Sequence, residues 1–183
     1  ALKDVKLNVN YAIIINSNAG LWGYSIGDTI KFKSINPYKI IVTGRVKHFL
    51  SAFGEHVIGD EIDTAISNTC NNFSEVKITE LTVAPLINSN SGLSYHEWFI
   101  EFSNEPSNIR DFEIYLDNQL RKLNPYYDDL ISGKILSRLK IKKLKKNAFI
   151  EYMKSIHKLG GQNKVPRLSN DRKLVNKLIK YII

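Results

Sequence analysis

The apolar positions of the first 45 residues fall in short runs separated by turn residues, the spacing of strands. Residues 9–16, with Val9, Tyr11, Ala12, Ile13, Ile14 and Ile15, read as a buried strand that ends in the turn-forming Asn16-Ser17-Asn18-Ala19-Gly20. Trp22 to Phe32 reads as a second strand, interrupted by Gly27-Asp28. Tyr38 to Thr43 reads as a third, introduced by Asn36-Pro37 and closed by Gly44. Three strands in so short a span predict a small antiparallel sheet.

The period changes after Gly44-Arg45. Val57, Ile58, Ile62, Ala65, Ile66 and Thr69 recur at helical spacing, with Asp60, Glu61 and Asp63 early, where carboxylates suit the positive end of the helix dipole. A helix is predicted over 57–71. Strands are predicted over 75–87 and 94–103, joined by the hairpin chemistry of Asn88-Ser89-Asn90-Ser91-Gly92. Pro106-Ser107-Asn108 offers an N-cap to a helix reaching Lys122, with Ile109, Phe112, Leu116 and Leu120 on one face. A short helix over 125–131, a strand over 134–141 and a helix over 146–158 follow. Gly160-Gly161 breaks the chain, and Ser169 or Asn170 caps a last helix through Leu174, Val175, Leu178 and Ile179. Strands and helices mix without strict alternation, so the class is α+β.

Composition narrows the function classes. With 43% hydrophobic and 24% charged residues in 183, the chain is expected to fold around one or two cores. The net charge of +8 raises the question of nucleic acid. Seven of the 26 basic residues lie between Lys134 and Lys146, where they alternate with Ile135, Leu136, Leu139, Ile141 and Leu144. That is the pattern of a strand with one solvated face, and no aromatic residue is interleaved to stack on bases. Cys70 is the one cysteine, so the chain has no disulfide framework and no cysteine metal site. No apolar run reaches the roughly 20 residues of a membrane helix. A cytoplasmic protein is expected, free of membrane and nucleic-acid partners. The first residue is not methionine and strand-like sequence begins almost at once, as in a chain cut from something longer.

Three segments can carry chemistry. In Gly20 to Asp28, Gly27-Asp28 puts a carboxylate at a bend, able to accept hydrogen bonds from vicinal hydroxyls such as those of a ribose; it can equally be a turn aspartate. In Gly44-Arg45-Val46-Lys47-His48, the Arg45 guanidinium offers fixed donors to hydroxyl or phosphate oxygens, or is a surface arginine at a domain seam. In Gly160 to Leu168, two glycines permit an unusual loop that carries Lys164 and is stiffened by Pro166. An ammonium there can meet negative charge developing on a phosphate or carboxylate, although glycine-rich basic loops are common.

Taken in order, these segments resemble the acyl-acid amido synthetases of the auxin-conjugating type, the Gretchen Hagen family, within the wider adenylate-forming group. The resemblance rests on Tyr24-Ser25-Ile26-Gly27-Asp28, Gly44-Arg45-Val46-Lys47, Gly54-Glu55-His56-Val57-Ile58, His96-Glu97-Trp98, and above all Gly161 through Arg172. It is closer to bacterial members than to plant ones. It implies a two-step reaction: ATP and a carboxylic acid give an acyl-adenylate and pyrophosphate, then an amine, usually of an amino acid, displaces AMP. It further implies nucleotide binding by Tyr24, Asp28 and Arg45, a hinge at Lys47, adenylation catalysis by Lys164, and a lid contact by His56. Residues 1–44 would be the last strands of the large nucleotide-binding domain, and 45–183 the mobile lid.

The resemblance makes the absent N-terminal domain a partner and the main holder of Mg2+ through ATP, and the fragment inactive by itself. Gly23 stands where family members commonly carry arginine, and His56 where plant members carry lysine, so no role of His56 carries over from plant enzymes. A thiol-accepting adenylate-forming ligase and a non-catalytic basic nucleic-acid-binding domain are the competing readings.

Overall fold

A computed structural model of the chain describes residues 2–45, 49–87, 92–160 and 163–183. Three strands, β1 (Asn10–Ile15), β2 (Tyr24–Ile35) and β3 (Tyr38–Arg45), form an antiparallel sheet in the order β1-β2-β3. Gly27-Asp28 does not interrupt β2. Gly27 takes φ 82° and the pairing with β1 skips from Ala12↔Thr29 to Ile14↔Ser25, so the strand bulges there and continues. Ile30 and Phe32 are the buried residues of one face, with Phe32 edge-on to both Tyr11 and Tyr38. On the other face Thr43 is buried and bonds Asn10 and Thr29, which pins the register of all three strands.

A two-stranded hairpin follows, β4 (Phe49–Leu50) with β5 (Val57–Ile58), and then α1 (Gly59–Asn72). Val57 and Ile58, predicted helical, are instead paired as a strand. Their side chains fit a helical period, but Ile58 N donates to Glu61 Oε2 and the helix begins only after it.

The larger sheet has the order β6 (Lys77–Leu86), β7 (Tyr95–Asn104), β8 (Lys140–Leu144), antiparallel across β6/β7 and parallel across β7/β8. Between β7 and β8 run α2 (Ile109–Leu123) and α3 (Pro125–Ser132); α4 (Ala148–Ser155) and α5 (Lys173–Leu178) come last. Asn108 caps α2 by accepting from Arg110 N and Asp111 N, as the sequence predicts.

The first eight residues of β7 are buried on both faces, because helices cover both sides of the sheet. Trp98, Ile100, Leu81 and Val83 face α1, α2 and α3 in one core, with Ile62, Phe112, Leu116 and Tyr127. Phe99 and Ala84 face α4 and α5 in the second, with Phe149, Met153, Val175 and Leu178. The class is α+β, as the sequence implies.

Two predicted boundaries shift because side chains compete for backbone groups. The strand predicted over 134–141 starts only at Lys140, since Leu139 N donates to the buried Asp117 carboxylate. The last helix starts at Lys173, because Asn170 bonds Ser51 N and Phe49 O rather than capping it. Four lysines of β8 and its flanks have partners: Lys142 with Glu97, Lys143 with Glu105, Lys145 with Glu151, and Lys140 over the Tyr95 ring. No helix among the described residues is long and apolar enough to cross a membrane.

Candidate functional site

The bulge at Gly27 sets the register that follows, and Asp28 pairs directly across the sheet with Arg45. Arg45 Nε lies 3.3 Å from Asp28 Oδ1, with the arginine side chain 67% and the aspartate 27% exposed. An ion pair that open to water contributes little to folding, about 0.2–1 kcal/mol. Both groups therefore stay available to a ligand.

A cleft of about 930 Å3 opens beside this pair. Asp28, Gly44 and Arg45 form one wall, Gly59, Asp60 and Asp63 from the start of α1 the floor, and Lys164 to Arg167 the other wall. The lining carries three carboxylates and three cations. Asp60 is held by Lys31 of β2 at 3.2 Å, and Asp63 by Arg167 Nε at 3.2 Å. A cleft with both signs of charge can offer acceptors to hydroxyls and donors to phosphate at once.

The segment that brings Lys164 here is stitched to the edge of the larger sheet. Thr82 Oγ1 donates to Pro166 O at 2.7 Å, Val83 N to Arg167 O at 2.9 Å, and Ser169 N to Val83 O at 3.1 Å. Leu168 is buried in the first core, and Arg167 also bonds Glu80. Further on, Arg172 reaches Pro85 O and the buried Glu97.

Of the residues singled out in the sequence, Asp28, Arg45 and Lys164 are brought together. Tyr24, half-exposed at the start of β2, is not among the cleft-lining residues. His56 also lies outside the lining, in the turn between β4 and β5, where it takes φ 48°. Lys47 lies outside the described residues. Among the described residues no group of three or more His, Cys, Asp or Glu side chains could hold a metal ion.

Sequence reasoning missed Asp60, Asp63 and Arg167 as lining residues, and missed the pair of Glu55 and His96. Glu55 Oε1 lies 2.9 Å from His96 Nε2 with both side chains fully buried. Burial works to raise the Glu55 carboxyl, but the hydrogen bond and charge of His96 and the backbone N–H groups outweigh it, and the carboxyl sits below its usual value. The signal was a polar His96-Glu97 step between apolar Tyr95 and the run Trp98-Phe99-Ile100, which demands buried partners.

Residues 60–173 match the C-terminal domain of the GH3 family, and residues 1–45 its central domain. Among solved structures, GH3.15 acyl acid amido synthetase superposes with a TM-score of 0.77 at 22% identity, over 100% of this chain and 35% of that one. AtGH3.15 acyl acid amido synthetase in complex with 2,4-DB gives 0.76 at 21%, over 100% and 34%. A search of curated protein sequences finds no match. The chain thus spans about a third of the length of the solved structures it resembles, and the likeness to them is one of fold.

Proposed function

The chain belongs to the GH3 family, and from that premise we propose that it works as the C-terminal part of an ATP-dependent acyl-acid amido synthetase. The observation that carries this reading is the convergence of Asp28, Arg45 and Lys164, distant in sequence, on one cleft. The carboxylate of Asp28 suits a ribose diol, and the guanidinium beside it suits ribose and phosphate oxygens. ATP supplies the AMP that activates the carboxylic acid, with Mg2+ held through ATP and the N-terminal domain. Lys164, on the wall that turns with the lid, neutralises the charge that gathers on the α-phosphate and acyl oxygens during adenylation.

The second half-reaction passes the acyl group to an amine, most simply that of an amino acid. The two steps need different surroundings, so the lid at 45–183 turns about Lys47 between them, while residues 1–44 stay with the large domain. The N-terminal domain is the partner on which all of this depends. Ile14, Ile40 and Val42 of the first sheet are half or more exposed, an apolar surface that suits such a neighbour.

The test uses the complete protein. ATP–pyrophosphate exchange is followed with a panel of aryl and aliphatic carboxylic acids, and then amide formation with each common amino acid. Acid-dependent exchange followed by an amide product is the expected result. A complete enzyme that binds ATP but exchanges pyrophosphate with no acid would sink the proposal, and a thioester in place of the amide would correct the acceptor.

A further inference from the structure

Helix α1 begins at the floor of the cleft, and its first turn is tied to both walls. Asp60 and Asp63 stand three residues apart, neighbours on the helix surface. Asp60 Oδ2 lies 3.2 Å from Lys31 Nζ of β2, in the sheet that carries Asp28 and Arg45. Asp63 Oδ1 lies 3.2 Å from Arg167 Nε, in the segment that carries Lys164. The Arg167 guanidinium continues onto the larger sheet, where Nη1 bonds Glu80 Oε1 and reaches Leu81 O at 3.5 Å. Lys31, Asp60, Asp63, Arg167 and Glu80 thus form one line of paired charges running from the first sheet through α1 to β6.

The backbone bonds from Thr82 and Val83 hold the segment 166–169 along β6, and the Arg167–Asp63 pair holds it across to α1. Arg167 Nε and Nη1 are both committed to protein oxygens, so the side chain acts by placement rather than by offering those donors to a ligand. With Arg167 40% and Asp63 61% exposed, the pair adds little to folding. Its effect is geometric. Pro166, its φ held near about −65°, stiffens the link from Arg167 to Lys164, three residues upstream.

We propose that Arg167 and Asp63 are positioning residues, whose ion pair sets how far Lys164 stands from Asp28 and Arg45 across the cleft. This rests on the amide-synthetase reading above, in which Lys164 meets the α-phosphate of a nucleotide whose ribose is held by Asp28 and Arg45. An ammonium stabilises developing charge only from the right place, and a misplacement of about 1 Å costs on the order of a hundredfold in rate. Arg167 and Asp63 touch no reacting atom in this scheme; they act through Lys164.

The experiment is a double-mutant cycle on the complete enzyme. Adenylation is measured by ATP–pyrophosphate exchange, with the acid that best supports it, in wild type, Arg167→Ala, Arg167→Lys, Asp63→Asn, Lys164→Ala and the double variant Lys164→Ala with Arg167→Ala. Arg167→Ala is expected to lower kcat roughly a hundredfold with little change in the KM for ATP. Arg167→Lys should recover part of that rate, since an ammonium meets one carboxylate where the fork meets two. Asp63→Asn should lose less than Arg167→Ala, because Glu80 still holds the guanidinium. In the Lys164→Ala background, Arg167→Ala should cause no further loss. The same fold loss in both backgrounds overturns the proposal, because the arginine then acts without the lysine. So does a matching fall in amide formation from supplied acyl-adenylate, which marks a structural role, and so does an Asp63→Asn enzyme indistinguishable from wild type. If Arg167→Ala loses its cooperative melt, Asp63→Asn takes its place in the cycle with the same criteria. Absence of acid-dependent exchange in wild type, or a Lys164→Ala enzyme that exchanges as wild type does, is a separate result, because it removes the underlying reading itself.

Discussion

Lys164 is the residue whose role in the proposed reaction is sharpest. In that proposal it acts in adenylation alone, because the second half-reaction would follow a turn of the lid. In the complete enzyme, Lys164→Ala is expected to slow adenylation by about 2.7–4 kcal/mol, roughly a hundred- to a thousandfold, and to spare amide formation from supplied acyl-adenylate. The loss should fall on kcat rather than on the KM for ATP, since the contact strengthens as charge develops. Arginine at this position should rescue poorly, a planar fork being no replacement for a compact ammonium. Equal loss in both half-reactions would make Lys164 a folding residue.

Glu55 makes a prediction of a different kind. Its folded pKa lies below the ordinary value of a glutamate carboxyl. The stability it contributes is therefore present above that value and is lost as pH falls through the folded one. Glu55→Gln should lower stability at pH 7 by about 1–3 kcal/mol and flatten the acid limb of the stability curve, read by urea denaturation between pH 3 and 7. An unchanged acid limb would show that the pair with His96 contributes nothing.

At the scale of elements, Gly27 decides where Asp28 points. A Cβ added there meets nothing within 4 Å, so substitution costs only backbone strain. Gly27→Ala is expected to cost about 1–2 kcal/mol and to weaken nucleotide binding by skewing the Asp28↔Arg45 register. Calorimetric titration with ATP and thermal melts of the complete enzyme check both. A loss of stability with unchanged affinity would separate the bulge from the site.

Gly27 also shows what a sequence hides. Glycine before aspartate inside a strand reads as an interruption, whereas the sheet absorbs it in a bulge that sets three residues of β2 opposite one of β1. Helix α2 was legible because its cap and apolar stripe are both local. The start of β8 was not, since it depends on Asp117 taking the Leu139 N–H from far along the chain. Likewise Asp28, Arg45 and Lys164 could be named one by one from their motifs. Asp60, Asp63 and Arg167 join them only through the packing of α1 against the stitched segment.

For the whole molecule, the proposed reaction needs reactants held by the part of the protein outside this chain, which spans about a third of the length of the solved structures it resembles. Positioning supplies on the order of 7–11 kcal/mol in well-oriented systems. The isolated 183-residue chain is therefore expected to give no ATP–pyrophosphate exchange, measured against the complete protein at equal concentration. Exchange by the short chain alone would mean that the cleft beside Asp28 suffices.

The stitching of Pro166 to Thr82 has a further consequence for Lys164, two residues upstream. At no more than about 3.6 Å of chain per residue, the Lys164 backbone cannot stray beyond roughly 7 Å from that anchor. One molecule confined to a sphere of that radius is present at an effective concentration on the order of 1 M. A lysine so tethered needs no affinity of its own for the nucleotide, and in the proposed reaction its departure with the lid would remove it from the site as completely as dilution would.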